Sequence, residues 1–494
     1  MAEAVRGRYV LIGDNKGSVI EDGAVVFDGG TILDVGVFSK MEQIHHPKKI
    51  YGSPDHVVLP GLVNSHQHGY GIDLVRVGVT DGPLEPWIIN SYYHPDGRSV
   101  PIFYENTLLA GLKMLKSGVT TTVHHYYGSE AHRENYLETI DICLQAYRDL
   151  GMRVAFAPVI RDMHQFAYMD DDAFISRLPT YAVDSLRKLG KIPVQYPTAA
   201  QYFGAFDKLR SQYEDDKTRL LYGPAGPQWC STQLLEEMNE RSKQGNIGIH
   251  MHVLESPVQR KYGNREYLGG LIGYLEGLGL LDKRLSLAHA VQLTREEIKK
   301  LAIAGCQVSH NPSSNLRLFN GVAPVRDMLE EGLSVGIGTD NSCPDEDMLR
   351  EMTLCSLLHR PPRIDTSPIP SSVILNMNVA NGAKITQFEG VIGPIEAGKK
   401  ADLILLDFAK IERPFISPDA DVLTVILTLA TKSNVDTVFV DGNPIVEQGR
   451  STRVDEDKLL QDIRQKYQLK GDNPEAKRLR QAITDELIRL YSSW

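Results

Sequence analysis

The chain lacks the features that mark secreted and membrane-spanning proteins. Its 494 residues include five cysteines, which form no CxxC pair. The N-terminus has no uninterrupted apolar segment of the signal-peptide type, and no run of about 18 apolar residues occurs anywhere. We therefore expect reduced thiols, a cytoplasmic location and no membrane contact. The cysteines are Cys143, Cys230, Cys306, Cys343 and Cys355.

An excess of positive charge is also missing. The formal net charge is -10, so nucleic acid is not an expected partner. No repeat of solenoid period and no low-complexity segment occur, and no Gly-rich phosphate loop follows the first strand of the middle region. With 42% hydrophobic and 23% charged residues, the composition is that of a globular protein large enough for two packed units.

The middle of the chain alternates apolar, strand-like runs with longer helix-like segments. "TTTVHHYY", "RVAFAPVI" and "GIHMHVLE" are examples of the strand-like runs. The alternation continues over roughly 300 residues and predicts parallel βα units. This length suits an α/β fold of the (β/α)8 TIM-barrel type better than a doubly wound open sheet.

Short β-branched runs separated by Gly and Asp fill residues 8–60, where no helical periodicity competes. The β character returns after about residue 390. Each piece alone is too small to bury a core, so we predict one small β-sandwich domain built from both chain ends. The predicted divisions are 1–60 and 389–450 for the β-sandwich domain, 61–388 for the barrel and 451–494 for a helical tail.

Polar residues follow several of the predicted barrel strands. In "PGLVNSHQHGY", His66 and His68 are one residue apart, so on a strand they point to the same side. Alone, this pair is a weak signal for a metal. The carboxyl ends of other predicted strands carry further candidates, which are His250, His252, Glu255, His289 and Asp340. Barrel enzymes assemble their sites at that edge, and several imidazoles with a carboxylate and an open position for water form a hydrolytic metal site.

As a set, these motifs resemble the amidohydrolase superfamily. The resemblance rests on PGLVNSHQH, on HxxE at His252–Glu255, on LAHAV at His289, on VSHNPSSNLRLFNGVAPV at 308–325 and on GTD at 338–340. Within the superfamily, the chain is similar to the branch that contains the S-adenosylhomocysteine and guanine deaminases and the triazine (atrazine) chlorohydrolases. The resemblance covers roughly residues 8–450.

The resemblance implies a site with one divalent metal ion, Zn²⁺ in the first place and Fe²⁺ as the alternative. The implied metal ligands are His66, His68, His252 and Asp340. The implied catalytic residues are Glu255 as proton shuttle, His289 as hydrogen-bond partner of the attacking water, and Asp340 as proton acceptor. Binuclear branches need a bridging lysine on a mid-barrel strand, and "RVAFAPVI" and "TRLLYGPAG" offer none at their carboxyl ends.

His250 and His252 compete for the ligand position on the same strand. In the family, the ligand precedes the acid by three residues, and only His252 stands at that distance from Glu255. We therefore expect His250 to pack beside the site or to support a ligand through a hydrogen bond.

The expected activity is metal-dependent hydrolysis of a non-peptide carbon–nitrogen bond in a small molecule. Deamination of an amino-substituted N-heterocycle is the first hypothesis. The alternative at the same site is hydrolysis of an aryl urea, carbamate or amide, or hydrolytic dehalogenation. A non-catalytic scaffold of the same fold is a third hypothesis, which the complete ligand set argues against. The resemblance also implies a homodimer.

Two loops bear on the substrate. "NSYYHPDGRSVPI" is longer and more aromatic than expected for a nucleoside-type deaminase, and "NSCPDED" follows Asp340. Both favour a compact or aryl-bearing substrate over a nucleoside. The predicted substrate contacts are Trp87, His125 and Asn311. Trp87 is equally consistent with packing a loop, and Asn311 with an ordinary Asn-Pro turn. Either His124 or His125 is expected to face the pocket.

Overall fold

The computed structural model describes residues 1–98, 101–128, 133–340, 344–360, 362–364 and 367–494. The predictions for Cys343 and for residues 341–343 of "NSCPDED" lie outside these ranges. The other four cysteines are buried and free. Within the described ranges, no helix is both long and apolar enough to cross a membrane.

The described residues form 17 β-strands. In chain order they are β1 (Glu3–Leu11), β2 (Val19–Asp28), β3 (Thr31–Val37), β4 (Lys49–Pro60), β5 (Leu62–Gln67), β6 (Val119–Tyr126), β7 (Arg153–Ile160), β8 (Thr218–Leu220), β9 (Gly223–Pro224), β10 (Ile249–Val253), β11 (Leu285–His289), β12 (Gln307–His310), β13 (Ser334–Ile337), β14 (Leu403–Asp407), β15 (Val435–Val440), β16 (Asn443–Glu447) and β17 (Arg450–Ser451).

Twenty α-helices connect and cover the strands in the same described ranges. They are α1 (Phe38–His45), α2 (Leu84–Tyr93), α3 (Phe103–Lys116), α4 (Tyr136–Leu150), α5 (Asp171–Ile175), α6 (Thr180–Lys188), α7 (Ala199–Tyr213), α8 (Thr232–Gly245), α9 (Pro257–Glu266), α10 (Gly270–Gly277), α11 (Arg295–Ala304), α12 (Pro312–Arg317), α13 (Val325–Glu330), α14 (Met348–Leu358), α15 (Ser371–Asn376), α16 (Gly382–Ile385), α17 (Phe408–Ile411), α18 (Val422–Leu429), α19 (Glu456–Lys466) and α20 (Pro474–Ser492).

Strands β5 to β13 form a parallel (β/α)8 barrel. Two sheets, β5-β6-β7-β8 and β10-β11-β12-β13, are joined by parallel bridges between Gln67 and Asp340 and between Tyr222 and Ile249. The single strand expected in "TRLLYGPAG" is split into β8 and β9, which both pair with β7. The barrel therefore has eight strand positions, and the carboxyl ends of its strands meet at one end of the molecule.

The remaining strands form one eight-stranded sheet in the order β17-β16-β15-β14-β4-β1-β2-β3. Because β4 pairs with β14, strands from both ends of the chain share this sheet. Its buried core includes Val5, Val58 and Phe439. A sandwich arrangement of this small domain and the predicted domain boundaries stay predictions.

One helix, α1, occupies Phe38–His45, within the segment where the sequence shows strand-like runs and no helical periodicity. Phe38 and Met41 are three residues apart, so they share one face of the helix and pack against the buried alanines and valine of β1 and β2. The segment is too short to show a periodic apolar pattern, so its sequence indicates strand propensity only.

A buried arginine joins the barrel to the small sheet. Arg153, at the start of β7, donates from Nε to Asp402 at 2.9 Å and also pairs with Asp441. Its side chain is fully buried. Breaking a buried pair of this kind costs about 3–5 kcal/mol, so the small sheet and the barrel are held as one body.

The last helix, α20, packs on the end of the barrel that carries the site. Its buried face includes Leu479, Ile483 and Leu487. Near its end, the Tyr491 hydroxyl accepts a hydrogen bond from the backbone N–H of Tyr168 at 3.0 Å. The C-terminal segment therefore covers the loops that surround the candidate site.

Candidate active site

Four imidazoles and a carboxylate meet at the carboxyl end of the barrel. They are supplied by β5, β10, β11 and the turn after β13, and all five side chains are buried. These residues are His66, His68, His252, His289 and Asp340. The possible ligand atoms of three subsets each lie within 4.8 Å of one another: His66–His252–His289, His66–His68–Asp340 and His68–His252 with His125.

The backbone at this end is adapted to bring Asp340 to the imidazoles. A Cβ at Gly338 would lie 2.8 Å from the His66 backbone nitrogen, so only glycine allows the chain directly after β13 to pass this close. The backbone N–H of Asp340 then donates to the His66 carbonyl at 2.9 Å. Asp340 itself adopts a left-handed conformation with φ 52°, and so does His289 with φ 72°. Such conformations are uncommon outside glycine and concentrate at functional sites.

Two of the imidazoles are oriented by backbone carbonyls. His68 Nδ1 lies 2.6 Å from the His125 carbonyl oxygen, and His252 Nδ1 lies 2.9 Å from the Ala225 carbonyl oxygen. A carbonyl only accepts, so Nδ1 carries the hydrogen in both rings. The lone pair of each ring is therefore on Nε2, the atom that faces the centre of the cluster.

His66 is oriented by a relay of side chains. Its Nδ1 lies 2.8 Å from His250 Nε2, and His250 Nδ1 lies 2.7 Å from the Ser286 hydroxyl. Ser286 donates to the Ile249 carbonyl, so its oxygen accepts from His250 Nδ1–H. His250 Nε2 then accepts from His66 Nδ1–H, which leaves the lone pair of His66 on Nε2.

The cluster fits a divalent cation. His66 Nε2, His289 Nε2 and Asp340 Oδ1 are buried and have no hydrogen-bond partner within the described residues. Burial, reinforced by the surrounding imidazoles, lowers the pKa of His66 and His252 well below the usual value, and burial also lowers the pKa of His68. Neutral imidazoles with inward lone pairs are the form that binds metal. A metal ion would supply the partner that His66 Nε2 and Asp340 Oδ1 lack.

Asp340 is held as an anion. Burial opposes its ionisation, but the neighbouring His68 and His289 imidazoles and the Ser314 hydroxyl, which donates to Oδ2, hold its pKa well below the usual range. Its Oδ1 lies 3.1 Å from His68 Nε2 and 3.6 Å from His66 Nε2. The carboxylate oxygen thus faces the same centre as the imidazoles.

Glu255 has the opposite character. Burial raises its pKa to about 7; Asp340 and Glu85 add to the rise, whereas His289 opposes it. Its Oε1 lies 3.7 Å from His289 Nε2 and accepts a hydrogen bond from Asn320 Nδ2 at 3.1 Å. A carboxyl group with a pKa near neutrality can both give and take a proton.

A pocket opens over the cluster. The residues that line it are His68, Leu84, Trp87, Ile88, Tyr92, Arg98, Tyr127, Arg161, Ala225, Trp229, His252, Glu255, Leu318 and Asp340. Trp87, expected from the sequence either to wall the pocket or to pack a loop, belongs to this lining. Its ring is almost fully buried.

The other two predicted substrate contacts lie deeper. His125 faces the imidazole cluster, with its ring centroid 4.9 Å from that of His252, whereas His124 turns to the Tyr147 hydroxyl. Asn311 is fully buried and lies against His289, with Nδ2 3.3 Å from His289 Nδ1. Asn311 is therefore placed to orient His289, and its contact with substrate stays a prediction.

Sequence reasoning missed several residues of the site. Arg98 and Arg161 line the pocket, and Asn315 Oδ1 lies 2.9 Å from His289 Nδ1. Ser256 and Tyr168 both donate to Glu85 Oε1, which stands behind Glu255. Four of these residues had a signal in the sequence: Arg98 lies in "NSYYHPDGRSVPI", Asn315 in "SHNPSSN", and Arg161 and Ser256 directly follow β7 and Glu255. Glu85 and Tyr168 are brought to the site by tertiary packing that no periodic pattern reveals.

Comparison with known proteins identifies the family of the chain. The amidohydrolase family model matches residues 57–445. The chain belongs to the amidohydrolase family. As a member, it is a metal-dependent hydrolase that acts on carbon–nitrogen bonds other than peptide bonds.

Individual relatives cover nearly the whole chain. A 5-methylthioadenosine/S-adenosylhomocysteine deaminase from Thermodesulfovibrio yellowstonii is 29% identical over 92% of this chain and 96% of its own length. The structure of an adenosine deaminase from Xanthomonas campestris with bound zinc superposes with a TM-score of 0.78 at 25% identity, covering 97% of this chain and 98% of that one. Atrazine chlorohydrolase from Arthrobacter aurescens, at 23% identity and TM-score 0.78 over 94% of this chain and 99% of its own, shares the fold.

Proposed function

We propose that this amidohydrolase removes the amino group of an amino-substituted N-heterocycle by hydrolysis. One observation carries the proposal: the pocket is lined by two carboxyl groups whose pKa values are displaced in opposite directions, Asp340 downward and Glu255 to about 7. Two titratable groups separated in this way divide the roles of base and acid. The deaminase names of the full-length relatives support the same reaction.

His66, His68, His252 and Asp340 are the residues that would hold the metal ion. A divalent ion in such a site lowers the pKa of a bound water from about 15.7 towards 7 and so supplies hydroxide at neutral pH. The set of three imidazoles and one carboxylate suits Zn²⁺, with Fe²⁺ as the alternative. The zinc in the related adenosine deaminase structure supports Zn²⁺.

The remaining steps belong to the protein's own side chains. Asp340, which is held as an anion, receives a proton from the attacking water. Asn315 Oδ1 accepts from His289 Nδ1–H and fixes the ring. His289 Nε2, which has no partner among the described residues, then accepts the hydrogen bond that holds this water in line. Glu255, protonated at neutral pH in a substantial fraction, delivers a proton to the ring nitrogen next to the reacting carbon. Protonation there makes the ring carbon easier to attack; the proton taken up by Asp340 then passes to the amino group, which leaves as ammonia, while the proton of the new hydroxyl returns to Glu255.

The pocket favours a flat, aromatic substrate. Trp87, Tyr92, Tyr127 and Trp229 supply aromatic surface around the cluster. An amino-heterocycle can stack on such surface while its ring nitrogen faces Glu255. The relatives act on adenine-containing compounds by name. The aromatic end of α2, with Tyr92 and Tyr93, instead favours a compact heterocycle, so both substrate types are tested together.

The decisive experiment is a screen of the metal-loaded protein for ammonia release. Aminopurines, adenine nucleosides, aminopyrimidines, pterins and aminotriazines form one panel, and aryl ureas, carbamates and chlorotriazines form the other. Ammonia from a member of the first panel is the expected result. Amine or chloride release from the second panel, with no ammonia from any amino-heterocycle, would overturn the deaminase assignment.

Finer expectations accompany this proposal. Zinc is tested by metal analysis of protein purified without chelators. A homodimer, inferred from the family resemblance, is tested by light scattering during size-exclusion chromatography. The proposed domains are a β-sandwich domain (1–60 with 389–450), a barrel (61–388) and a helical tail (451–494). The division is supported by the change of sheet at Gly61, because β4 before it belongs to the small sheet and β5 after it belongs to the barrel. Limited proteolysis tests it.

A further inference from the structure

A second group of potential metal ligands lies on the outer side of the barrel wall. Side chains alternate across a strand, so neighbours on β12 point to opposite sides. Ser309 contacts Ser65 at 2.5 Å inside the barrel. Asn311 contacts His289 at 3.3 Å, also on the inside. His310 stands between Ser309 and Asn311 and therefore points outwards, to the helices that cover the barrel.

Helix α14 places two further donors beside His310. Cys355 and His359 are four residues apart, so they lie on one face at the C-terminal end of this helix. One potential ligand atom of each of the three residues lies within 4.8 Å of the other two, and all three residues are buried. His359 is followed by the exposed Arg360, so the cluster lies close to the surface.

The distance between the two imidazoles fits a shared ion. The Nε2 atoms of His310 and His359 are 3.1 Å apart. Bonds of about 2.0–2.1 Å to one tetrahedral Zn²⁺ ion place two imidazole nitrogens roughly 3.3 Å apart. The two rings thus already stand at nearly the separation that a common zinc ion requires.

The cluster has more ligand atoms than its own contacts use. Two neutral imidazoles that face each other through Nε2 share one hydrogen. His310 Nδ1 is buried and has no hydrogen-bond partner within the described part of the chain. Cys355 is a free, buried thiol. Since buried polar atoms are normally satisfied, an orphaned ring nitrogen beside a free thiol points to a ligand.

The protonation states suit a metal ion held by a thiolate. Burial lowers the pKa of His310 well below the usual value, and burial together with Arg326 lowers the pKa of His359 to about 4. Both imidazoles are therefore neutral, the form that binds metal. Burial and the Glu351 carboxylate one turn earlier on α14 raise the pKa of the Cys355 thiol. A coordinated metal ion nevertheless deprotonates a thiol, and the thiolate offsets part of the charge of the ion.

We propose that His310, Cys355 and His359 bind a second Zn²⁺ ion, separate from the metal of the active site. Two imidazoles and a thiolate are ligands that zinc prefers, and a water molecule completes the coordination. The ion fastens α14 to the outer side of β12, the strand that leads into Asn311 and its contact with His289. Its binding is independent of the reaction that the barrel site catalyses.

Zinc titration of chelator-treated protein against a competing colorimetric chelator counts the sites. The wild type is expected to bind two tight equivalents per chain, and Cys355→Ser is expected to lose one of them. Cys306→Ser is the matched control, because Cys306 is also buried and free and directly precedes β12. This control is expected to bind as the wild type does. A second tight equivalent that persists in Cys355→Ser would overturn the site.

Cobalt(II) distinguishes the two sites, because only the outer one contains a thiolate. A thiolate-to-cobalt charge-transfer band in the near ultraviolet is expected in the wild type, in Cys306→Ser and in His252→Ala, and its loss is expected in Cys355→Ser. A band in His252→Ala without ammonia release from any wild-type reaction would leave the outer site standing and overturn the deaminase proposal. A wild type without the band would overturn the outer site, whatever the barrel site binds.

A measurement on the wild type alone decides the matter if the thermal midpoint shows that Cys355→Ser does not fold. Zinc K-edge X-ray absorption of zinc-saturated protein is expected to show a sulfur neighbour at about 2.3 Å beside nitrogen neighbours at about 2.0–2.1 Å. A spectrum with nitrogen and oxygen neighbours only would contradict the proposed ligand set.

Discussion

Two strands of the barrel carry the same histidine spacing and end at the same edge, yet they use it differently. At the end of β5, His66 and the directly following His68 of the HxH pair both turn Nε2 to the centre of the cluster. On β10, His252 does so too, but both ring nitrogens of His250 are occupied by His66 and Ser286. Identical spacing thus yields two inward lone pairs in one strand and one in the other.

The difference lies in the partner of the second ring nitrogen. A carbonyl oxygen beside Nδ1 frees Nε2 of His68 and His252 for a ligand. His250 instead stands between a hydroxyl and another imidazole, so it passes orientation to His66. Whether a histidine in a HxH pair binds metal is therefore decided by its neighbours and not by the spacing itself.

The largest expected effect comes from removing an inward imidazole. His252→Ala is expected to reduce turnover to background and to lower the bound metal, because a buried ligand position is lost. Metal content by plasma mass spectrometry and ammonia release measure the two losses. His45→Ala, a change of the same kind at a half-buried histidine of α1 that pairs with Asp34, is the control and is expected to alter neither. Full metal content in His252→Ala would show that the β10 pair does not contribute a ligand.

The second-largest effect is expected on turnover and concerns Glu255, an acid that follows the HxH pair of β10 and has no counterpart after the pair of β5. Glu255 stands three residues after His252, whereas Gly71 stands three residues after His68. Glu255→Gln is expected to lower kcat about 10²- to 10⁴-fold, the usual share of general acid–base catalysis, with metal content retained. The exposed Glu276→Gln is the control.

The pH profile sharpens the same prediction. Because burial raises the pKa of Glu255 to about 7, the protonated form that donates to the ring nitrogen disappears as pH rises through that value. The wild-type rate is expected to decline above about pH 7, and the residual rate of Glu255→Gln is expected to lack this decline. A decline of equal size in Glu255→Gln would assign the titration to another group.

A smaller effect on metal binding is expected for His250, the histidine of β10 that orients His66. His250→Ala is expected to weaken metal binding about 10- to 100-fold, the usual consequence of losing a group that orients a ligand. Titration with a competing chelator gives the affinity, and excess metal is expected to restore most of the turnover. Turnover that stays at background under saturating metal would place His250 among the ligands and remove the distinction between the two pairs.

The sequence allowed the barrel and most of the cluster to be predicted, because alternating strands place their last polar side chains at one edge. "GIHMHVLE" showed both histidines of β10 on one face, but nothing in it showed that Ser286 lies 36 residues further on beside His250. Loop paths decide that the fourth strand splits into β8 and β9 and that Arg98 points inward. Helix α1 was not predictable because it is too short to show a period. A local pattern predicts to which side of a strand a side chain points, whereas the partner of that side chain across the barrel is decided by tertiary contacts.

Ser286→Ala gives the smallest expected effect and tests the relay most closely. Without the hydroxyl, His250 Nδ1 loses its acceptor, and the preference for the tautomer that frees His66 Nε2 weakens. The lost hydrogen bond is worth about 1 kcal/mol, or about fivefold in metal affinity. If orientation passes along one path from Ser286 through His250 to His66, then Ser286→Ala added to His250→Ala produces no further loss, since contacting residues of one network are not additive. Additive losses in the chelator titration would mean that Ser286 acts on the site by a route that bypasses His250, and the relay would then be wrong.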